Sequence, residues 1–316
     1  MKILIYGAGV LGSYLAHELH RGGNEVTILA RTERFNHLIT KGLVIEHVRQ
    51  KIKTVDQVRI TDSLMPEDCY DVIFVVMQKS QISDTLPTLT NNTASKKIVF
   101  IGNNCEADKT HSTFMRLSES KPMVLFGFLS CAGHRSGSVI YNWHSKKRSS
   151  ILMGAYQKDD EFANEMRDIF SGTSLALEIK RDINGWLKYH CALVAPICLA
   201  IQYENGASKS LRKSKVLSLA IDAVKESIQM FEQQGFQNEA PHNIKLLGWP
   251  TNKIQWILSR LLPTKTGQLI AVDHAMAACD EINMLARELL SYSEGNGYSL
   301  PSIRQLYAIV EENTHA

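Results

Sequence analysis

Residues 2–31 run KILIYGAGVLGSYLAHELHRGGNEVTILAR. KILIY is a short apolar run with β-branched character, which predicts a buried strand. GAGVLG follows at once, at residues 7–12. Leu11, Leu15 and Leu19 then recur at helical spacing, and Gly22 and Gly23 stop that helix. EVTILA predicts the next strand. Strand, glycine turn, helix and strand inside about 30 residues is the order of a dinucleotide-binding unit. In such a loop Gly7 allows the tight turn, Gly9 lets a diphosphate approach the backbone, and Gly12 lets the helix pack on the sheet. Ala8, Val10 and Leu11 complete the cradle. The helix N-terminus adds unpaired N–H groups and a partial positive charge for the phosphates.

The far end of the stretch selects the cofactor. In NAD sites an Asp or Glu about 20 residues beyond the loop bonds the ribose 2′-hydroxyl. Arg31 stands at that place. A carboxylate there would repel a 2′-phosphate, whereas a guanidinium attracts it and matches its oxygens. The expected cofactor is therefore NADP(H). Arg34, one turn further on, is expected to add a second donor. The competing reading of Arg31 is a solvated surface arginine.

Beyond residue 31, TERFNHLITKG predicts a helix stopped by Gly42. Strands are expected at 71–77, 97–102 and 123–129, in SGSVIYNW and in SILMGAY, with DDEFANEMRDIFSG helical. Alternating strands and helices predict an α/β, Rossmann-type domain with a mostly parallel sheet. The character changes near residue 180. GWLKYHCALVAPICLAIQYE, SKVLSLAIDAVKESIQMFEQQG and QLIAVDHAMAACDEINMLARELLSYSEGNG are long helical patterns with no convincing strand between them. The expected domains are 1–180, binding NADP, and 181–316, an all-helical domain for substrate and catalysis.

Composition narrows the function classes. The 316 residues carry 35 Lys and Arg against 32 Asp and Glu, a net charge of +3 with no long basic run. A nucleic-acid partner, which needs a concentrated basic face, is not expected. Cysteines at 69, 105, 131, 191, 198 and 279 form no CxxC pair and no regular spacing. Reduced, mostly buried thiols are expected, without structural zinc, and the implied compartment is cytoplasmic. The N-terminal apolar run is broken by three glycines and does not read as a signal peptide. The apolar stretch YHCALVAPICLAI falls short of the roughly 20 residues of a membrane span.

With these motifs in order, the chain resembles the ketopantoate reductase (2-dehydropantoate 2-reductase) family over nearly its whole length. The resemblance begins with MKILIYGAGVLGSYLA and the Arg after the second strand. DVIFVVMQKSQISD follows, where Gln81 matches a glutamine usual after that strand. FIGNNCEAD places Asn103 on the family's active-site asparagine, and FGFLSCAGHRSGSVI matches the segment after it. GWLKYHCALVAP places Lys188 on the catalytic lysine. CDEINMLARELLSYSEGNGYSLP places Glu281 on the active-site glutamate. The resemblance implies an NADPH-dependent oxidoreductase acting on CH–OH groups, reducing ketopantoate to pantoate in pantothenate biosynthesis. Gln81, Asn103 and Glu281 join the glycine loop and Arg31 as cofactor contacts, and Asn103 also meets substrate.

Departures from the pattern concern the substrate. Gln78, followed by Lys79, stands where the family has a strand-ending Lys. Ala192 and Pro196 replace two asparagines on the lysine helix, and Gly102 and Asn104 replace a His and a Gly beside Asn103.

Ketone reduction needs a hydride donor, a held carbonyl and a proton source. Lys188 is the candidate acid. It shares a helix face with Ala192, Ala195 and Leu199, which partly desolvates it. It can then stabilise an alkoxide and deliver a proton. The competing reading is a lysine snorkelling to solvent. His190 is a rival acid, but it lies about 200° round the helix from Lys188 and reads as a core histidine. Of adjacent Asp280 and Glu281, the resemblance selects Glu281, to orient Lys188 or to bond a substrate hydroxyl or cofactor ribose. Asp273 and His274 read as a polar pair, and Trp249 and Trp256 as helix-packing residues.

The function expected is NADPH-dependent reduction of a small 2-keto acid. The alternatives are a reductase of a different keto or imino acid and a catalytically silent NADP(H) sensor. The partner is a small-molecule keto acid, with no nucleic acid and no membrane; a homodimer stays open.

Overall fold

A computed structural model describes residues 1–144, 149–155, 161–206, 214–236 and 247–314. The chain divides into two compact units. One is Met1–Gly102 with Ala107–Ile183; the other is Asn103–Glu106 with Asn184–Ala316. The second unit is thus not contiguous in sequence.

The first unit contains strands β1 (Lys2–Tyr6), β2 (Glu25–Leu29), β3 (Leu43–His47), β4 (Ile52–Asp56), β5 (Arg59–Thr61), β6 (Val72–Val76), β7 (Lys97–Ile101), β8 (Met123–Leu129), β9 (Ala132–Ser136), β10 (Val139–Trp143), β11 (Ser150–Ala155) and β12 (Ala176–Ile179). Its helices are α1 (Val10–Arg21), α2 (Thr32–Lys41), α3 (Lys79–Asn91), α4 (Ala107–Leu117) and α5 (Glu161–Phe170). Eight strands form one sheet in the order β12-β11-β8-β7-β6-β1-β2-β5. Every pairing in it is parallel except β11 with β8. Central β6 (VIFVV) is buried at all five positions, as a strand covered on both faces must be. The expected mostly parallel sheet is present, and β1 lies where the chain order reverses between β6 and β2, the switch point at which such sheets hold ligands.

A second sheet, β4-β3-β10-β9, was not foreseen as a sheet. It pairs β3 with β10 in parallel across almost a hundred residues. Its strands pack on α1 through a polar cluster. His17 Nδ1 lies 2.5 Å from Asp56 Oδ2, and Arg21 Nε donates to Asp56 Oδ1 at 2.7 Å. The rings of His17 and His47 are 5.0 Å apart, and those of His47 and His144 are 5.9 Å apart. Burial, then the charges of His17 and His144, pull His47 down to about 4 from the usual 6.5. Glu18 and Asp56 push it the other way and lose.

A pH dependence follows. The folded state resists protonating His47, so stability is full above the unfolded pKa and falls as pH drops from 6.5 towards 4. Between about pH 7.5 and pH 5 this one group removes about 2 kcal/mol. Urea unfolding of wild type and His47→Gln at both pH values checks it. The substitution is expected to shrink the acid-induced loss, and equal losses in both proteins would refute the assignment.

The second unit is helical, and none of its described residues is in a strand. It holds α6 (Ile183–Tyr203), α7 (Lys215–Gln233), α8 (Thr251–Leu261), the single turn α9 (Lys265–Gly267), a π turn at Gln268–Val272, α10 (Asp273–Ala277), α11 (Cys279–Gly295) and α12 (Pro301–Thr314). The pattern from 268 to 297 is not one continuous helix. Ala278 adopts φ −124°, ψ 40°, which breaks it and starts α11 afresh. Glu281 consequently stands in the first turn of α11. Trp249 and Trp256 are exposed rather than packed, the latter with Arg260 over its ring. No helix of the described residues is long and apolar enough to cross a membrane.

Candidate active site

The glycine loop joins β1 to α1. Gly7 has φ +126°, and a Cβ on it would lie 2.2 Å from the Val76 carbonyl oxygen of β6. A Cβ on Gly12 would lie 1.9 Å from the Gly7 oxygen. Both positions are closed to any side chain. Gly9 differs: a Cβ there meets nothing within 4 Å, so the space above it is open. No side chain caps α1, and its first turn holds no acid. Its leading N–H groups are thus left for an anion. Ala8, Val10 and Leu11 are half-buried around this space.

Arg31 stands just past β2 as the N-cap of α2. Its head is exposed, and Nη2 donates to the Tyr6 hydroxyl at 2.9 Å. Arg34 is not the expected second donor at the surface. It is 6% exposed, and three of its nitrogens bond acceptors of the protein itself. Gln78 caps α3 and Gln81 follows in its first turn, both exposed. Lys79 is buried instead, donating to Thr110 Oγ1 of α4 at 2.9 Å.

In the second unit, Lys188 lies in the second turn of α6 with 0% exposure. It does not snorkel. Its Nζ donates to the Cys105 carbonyl at 2.7 Å and sits 4.5 Å from the centre of the Tyr292 ring and 5.4 Å from that of Phe236. The Tyr189 hydroxyl holds the Phe236 carbonyl at 3.2 Å. A carbonyl dipole and two aromatic faces are favourable company for a buried cation. Ala192, Ala195 and Leu199, on the same face, are also fully buried. Cys105 belongs to Asn103–Glu106, so the segment carrying Asn103 is the one that grips the lysine. Asn103 is 7% exposed, and its side-chain oxygen takes no hydrogen bond among the described residues. A buried amide oxygen left orphaned calls for an explanation, and a ligand is one.

Helix α11 bears on α6 at three places. Tyr292 meets Lys188, the Glu288 charge acts on the Cys191 thiol, and the Glu281 charge acts on the Cys198 thiol. Burial first, then the Cys105 side chain and the Glu288 charge, raise Cys191 well above the usual thiol range. Burial, then Glu281, lift Cys198 to about 12. Glu281 is itself 4% exposed, and its charge acts on Cys198, ten residues along α6 from Lys188. The residues that sequence reasoning missed are Tyr292, buried Glu288 and the backbone oxygen of Cys105. Their seven- and four-residue spacing on the Glu281 helix was the available signal.

His190 is the core histidine anticipated. It stacks on Trp186 at 4.9 Å, and burial, then His274, pull it down to about 4. Asp273 takes a bond from Gln268 Nε2 at 2.8 Å. The six thiols are free, with Cys105, Cys191 and Cys198 buried but Cys69 and Cys279 exposed.

Residues 3–158 match the family described as Ketopantoate reductase PanE/ApbA. A 2-dehydropantoate 2-reductase of Pyrococcus horikoshii is 27% identical over 248 residues, 75% of each chain. Residues 3–158 thus carry a ketopantoate reductase family domain. Among solved structures, a PanE/ApbA family ketopantoate reductase from Ralstonia eutropha has a TM-score of 0.77 at 18% identity, over 98% of this chain and 97% of its own. A D-mandelate dehydrogenase, solved with NADH and anilino(oxo)acetate, reaches 0.78 at 15% identity, over 99% and 97%. At such identities the likeness speaks for the fold. The ketopantoate reductase family is one of oxidoreductases, and members of this fold serve more than one keto acid.

Proposed function

We propose that this protein is an NADPH-dependent reductase of a small 2-keto acid, converting ketopantoate to pantoate in the cytoplasm as a step of pantothenate biosynthesis. The observation that carries the reading is the buried ammonium of Lys188, held on the backbone of the segment that presents Asn103. A positive charge kept from water in an apolar core is costly unless it has work there.

The residues of the glycine loop fit a dinucleotide. Gly9 leaves room for its diphosphate, and the uncapped start of α1 supplies N–H donors. Arg31 offers its exposed fork to a ribose 2′-phosphate, and Gln81, in the first turn of α3, contacts the bound cofactor. When bound, the reduced nicotinamide supplies the hydride. Asn103 uses its orphaned amide on substrate or cofactor. Lys188 stabilises the developing alkoxide and donates the proton from Nζ. Its orientation comes from Cys105, Tyr292 and Phe236. Glu281 orients Lys188 or accepts a bond from a hydroxyl of substrate or of cofactor ribose. The apolar Ala192 and Pro196, standing where the family has two asparagines, favour, as a second reading, a keto acid less polar than ketopantoate.

Two measurements test this. NADPH oxidation across a panel of 2-keto acids is expected to be fastest with ketopantoate. Turnover only with other keto acids selects the second reading, and cofactor binding without any turnover refutes both. Arg31→Asp is expected to reverse the preference of NADPH over NADH, changing the ratio of kcat/KM by about 100-fold or more. An unchanged ratio would remove Arg31 from the 2′-phosphate.

A further inference from the structure

Arg34 spends a buried guanidinium on the glycine loop. Nε donates to the Ala8 carbonyl at 3.1 Å, Nη2 to Ser13 Oγ of α1 at 3.0 Å, and Nη1 to the Ser138 carbonyl in the β9–β10 turn at 3.0 Å. Ser13 Oγ in turn donates to the same Ala8 carbonyl at 3.3 Å. All three acceptors are neutral. Burial, then the Arg135 charge, lower its pKa to about 10, so it remains a cation at neutral pH. Among the described residues no carboxylate forms an ion pair with it. A residue this costly to bury marks a geometry worth holding.

The geometry concerns one peptide plane. Across a trans peptide the C=O and the next N–H point opposite ways, and no cis peptide occurs among the described residues. Two donors hold the Ala8 oxygen, so the Gly9 N–H points away from Arg34. Gly9 is exposed, and a Cβ on it would meet no atom within 4 Å. We propose that Arg34 is a positioning residue for the dinucleotide: it pins the Ala8 carbonyl so that the Gly9 N–H is aimed at the diphosphate. This rests on reading the glycine loop as the cofactor cradle. The guanidinium is suited to the task because its planar fork serves three acceptors in fixed directions, which an ammonium cannot. The diphosphate is common to NADPH and NADH, so Arg34 acts on both alike, whereas Arg31 separates them.

The test is the dissociation constant of NADPH and of NADH, read by nicotinamide fluorescence, for wild type, Arg34→Gln, Arg34→Lys and Ser13→Ala. Arg34→Gln is expected to weaken both cofactors by roughly 10- to 100-fold with their ratio unchanged. Arg34→Lys should fall between it and wild type, and Ser13→Ala should lose about threefold. The kcat at saturating cofactor should stay within about threefold, since chemistry lies elsewhere. Wild-type binding of both cofactors by Arg34→Gln overturns the proposal. So does a loss confined to NADPH, which would make Arg34 a 2′-phosphate donor, or a fall in kcat as large as the loss of affinity. If Arg34→Gln does not fold, wild-type binding by both Arg34→Lys and Ser13→Ala overturns it. A wild-type protein that binds neither dinucleotide would sink the cradle itself, a distinct failure.

Discussion

Lys188→Met is expected to slow the chemical step by about 1000-fold while the dissociation constant of the cofactor moves less than about threefold. Methionine nearly preserves the volume between the Tyr292 and Phe236 rings, so the change removes a charge and a proton rather than a shape. The Cys105 carbonyl loses its donor, at a cost of about 1–3 kcal/mol in stability. Single-turnover oxidation of NADPH, paired with thermal unfolding, separates the two effects. A folded Lys188→Met enzyme with wild-type turnover would end its candidacy as the acid.

The glycine loop gives the second large effect, through a contrast between two neighbours. Gly12→Ala forces a Cβ to within 1.9 Å of the Gly7 oxygen, and both atoms belong to backbone that cannot swing aside. The expected cost is about 3 kcal/mol or more of stability, together with a loss of dinucleotide binding of over about 100-fold. Gly9→Ala places its methyl in open space, so unfolding should match wild type within about 0.5 kcal/mol. Yet that methyl stands where a diphosphate would lie, and binding should fall about 10-fold or more. Calorimetry and fluorescence titration on both variants check the pair. Gly9→Ala binding NADPH as wild type does would show that the diphosphate approaches elsewhere.

The first strand, glycine turn and helix were legible because residues 2–31 carry three concurring signals: period, turn chemistry and spacing. The helical character beyond residue 184 was equally plain from its 3.6-residue pattern. The second sheet was not. Its strand β4 (IKTVD) is mostly exposed and carries charge, and β3, besides its hairpin partner β4, takes a second partner from residues near 140. Nothing local announces such a pairing. The same limit governs the site. The spacing of Arg34 suits a phosphate donor, but which acceptors reach it depends on a turn a hundred residues away. Lys188 and Glu281 were singled out through the family resemblance, which says nothing of what surrounds them. The partner that Lys188 bonds is a main-chain oxygen, and side-chain identities carry no trace of it.

The four residues Asn103–Glu106 bear on how the molecule may be divided. A fragment starting at Asn184 would encode every helix of the second unit and still be incomplete, because the oxygen that receives Lys188 lies 83 residues upstream of it. Released alone, such a piece would leave that ammonium without the main-chain oxygen it bonds in the whole protein. The N-terminal half would meanwhile carry away a short loop whose home is elsewhere. The gene can be cut at that junction, but the fold cannot.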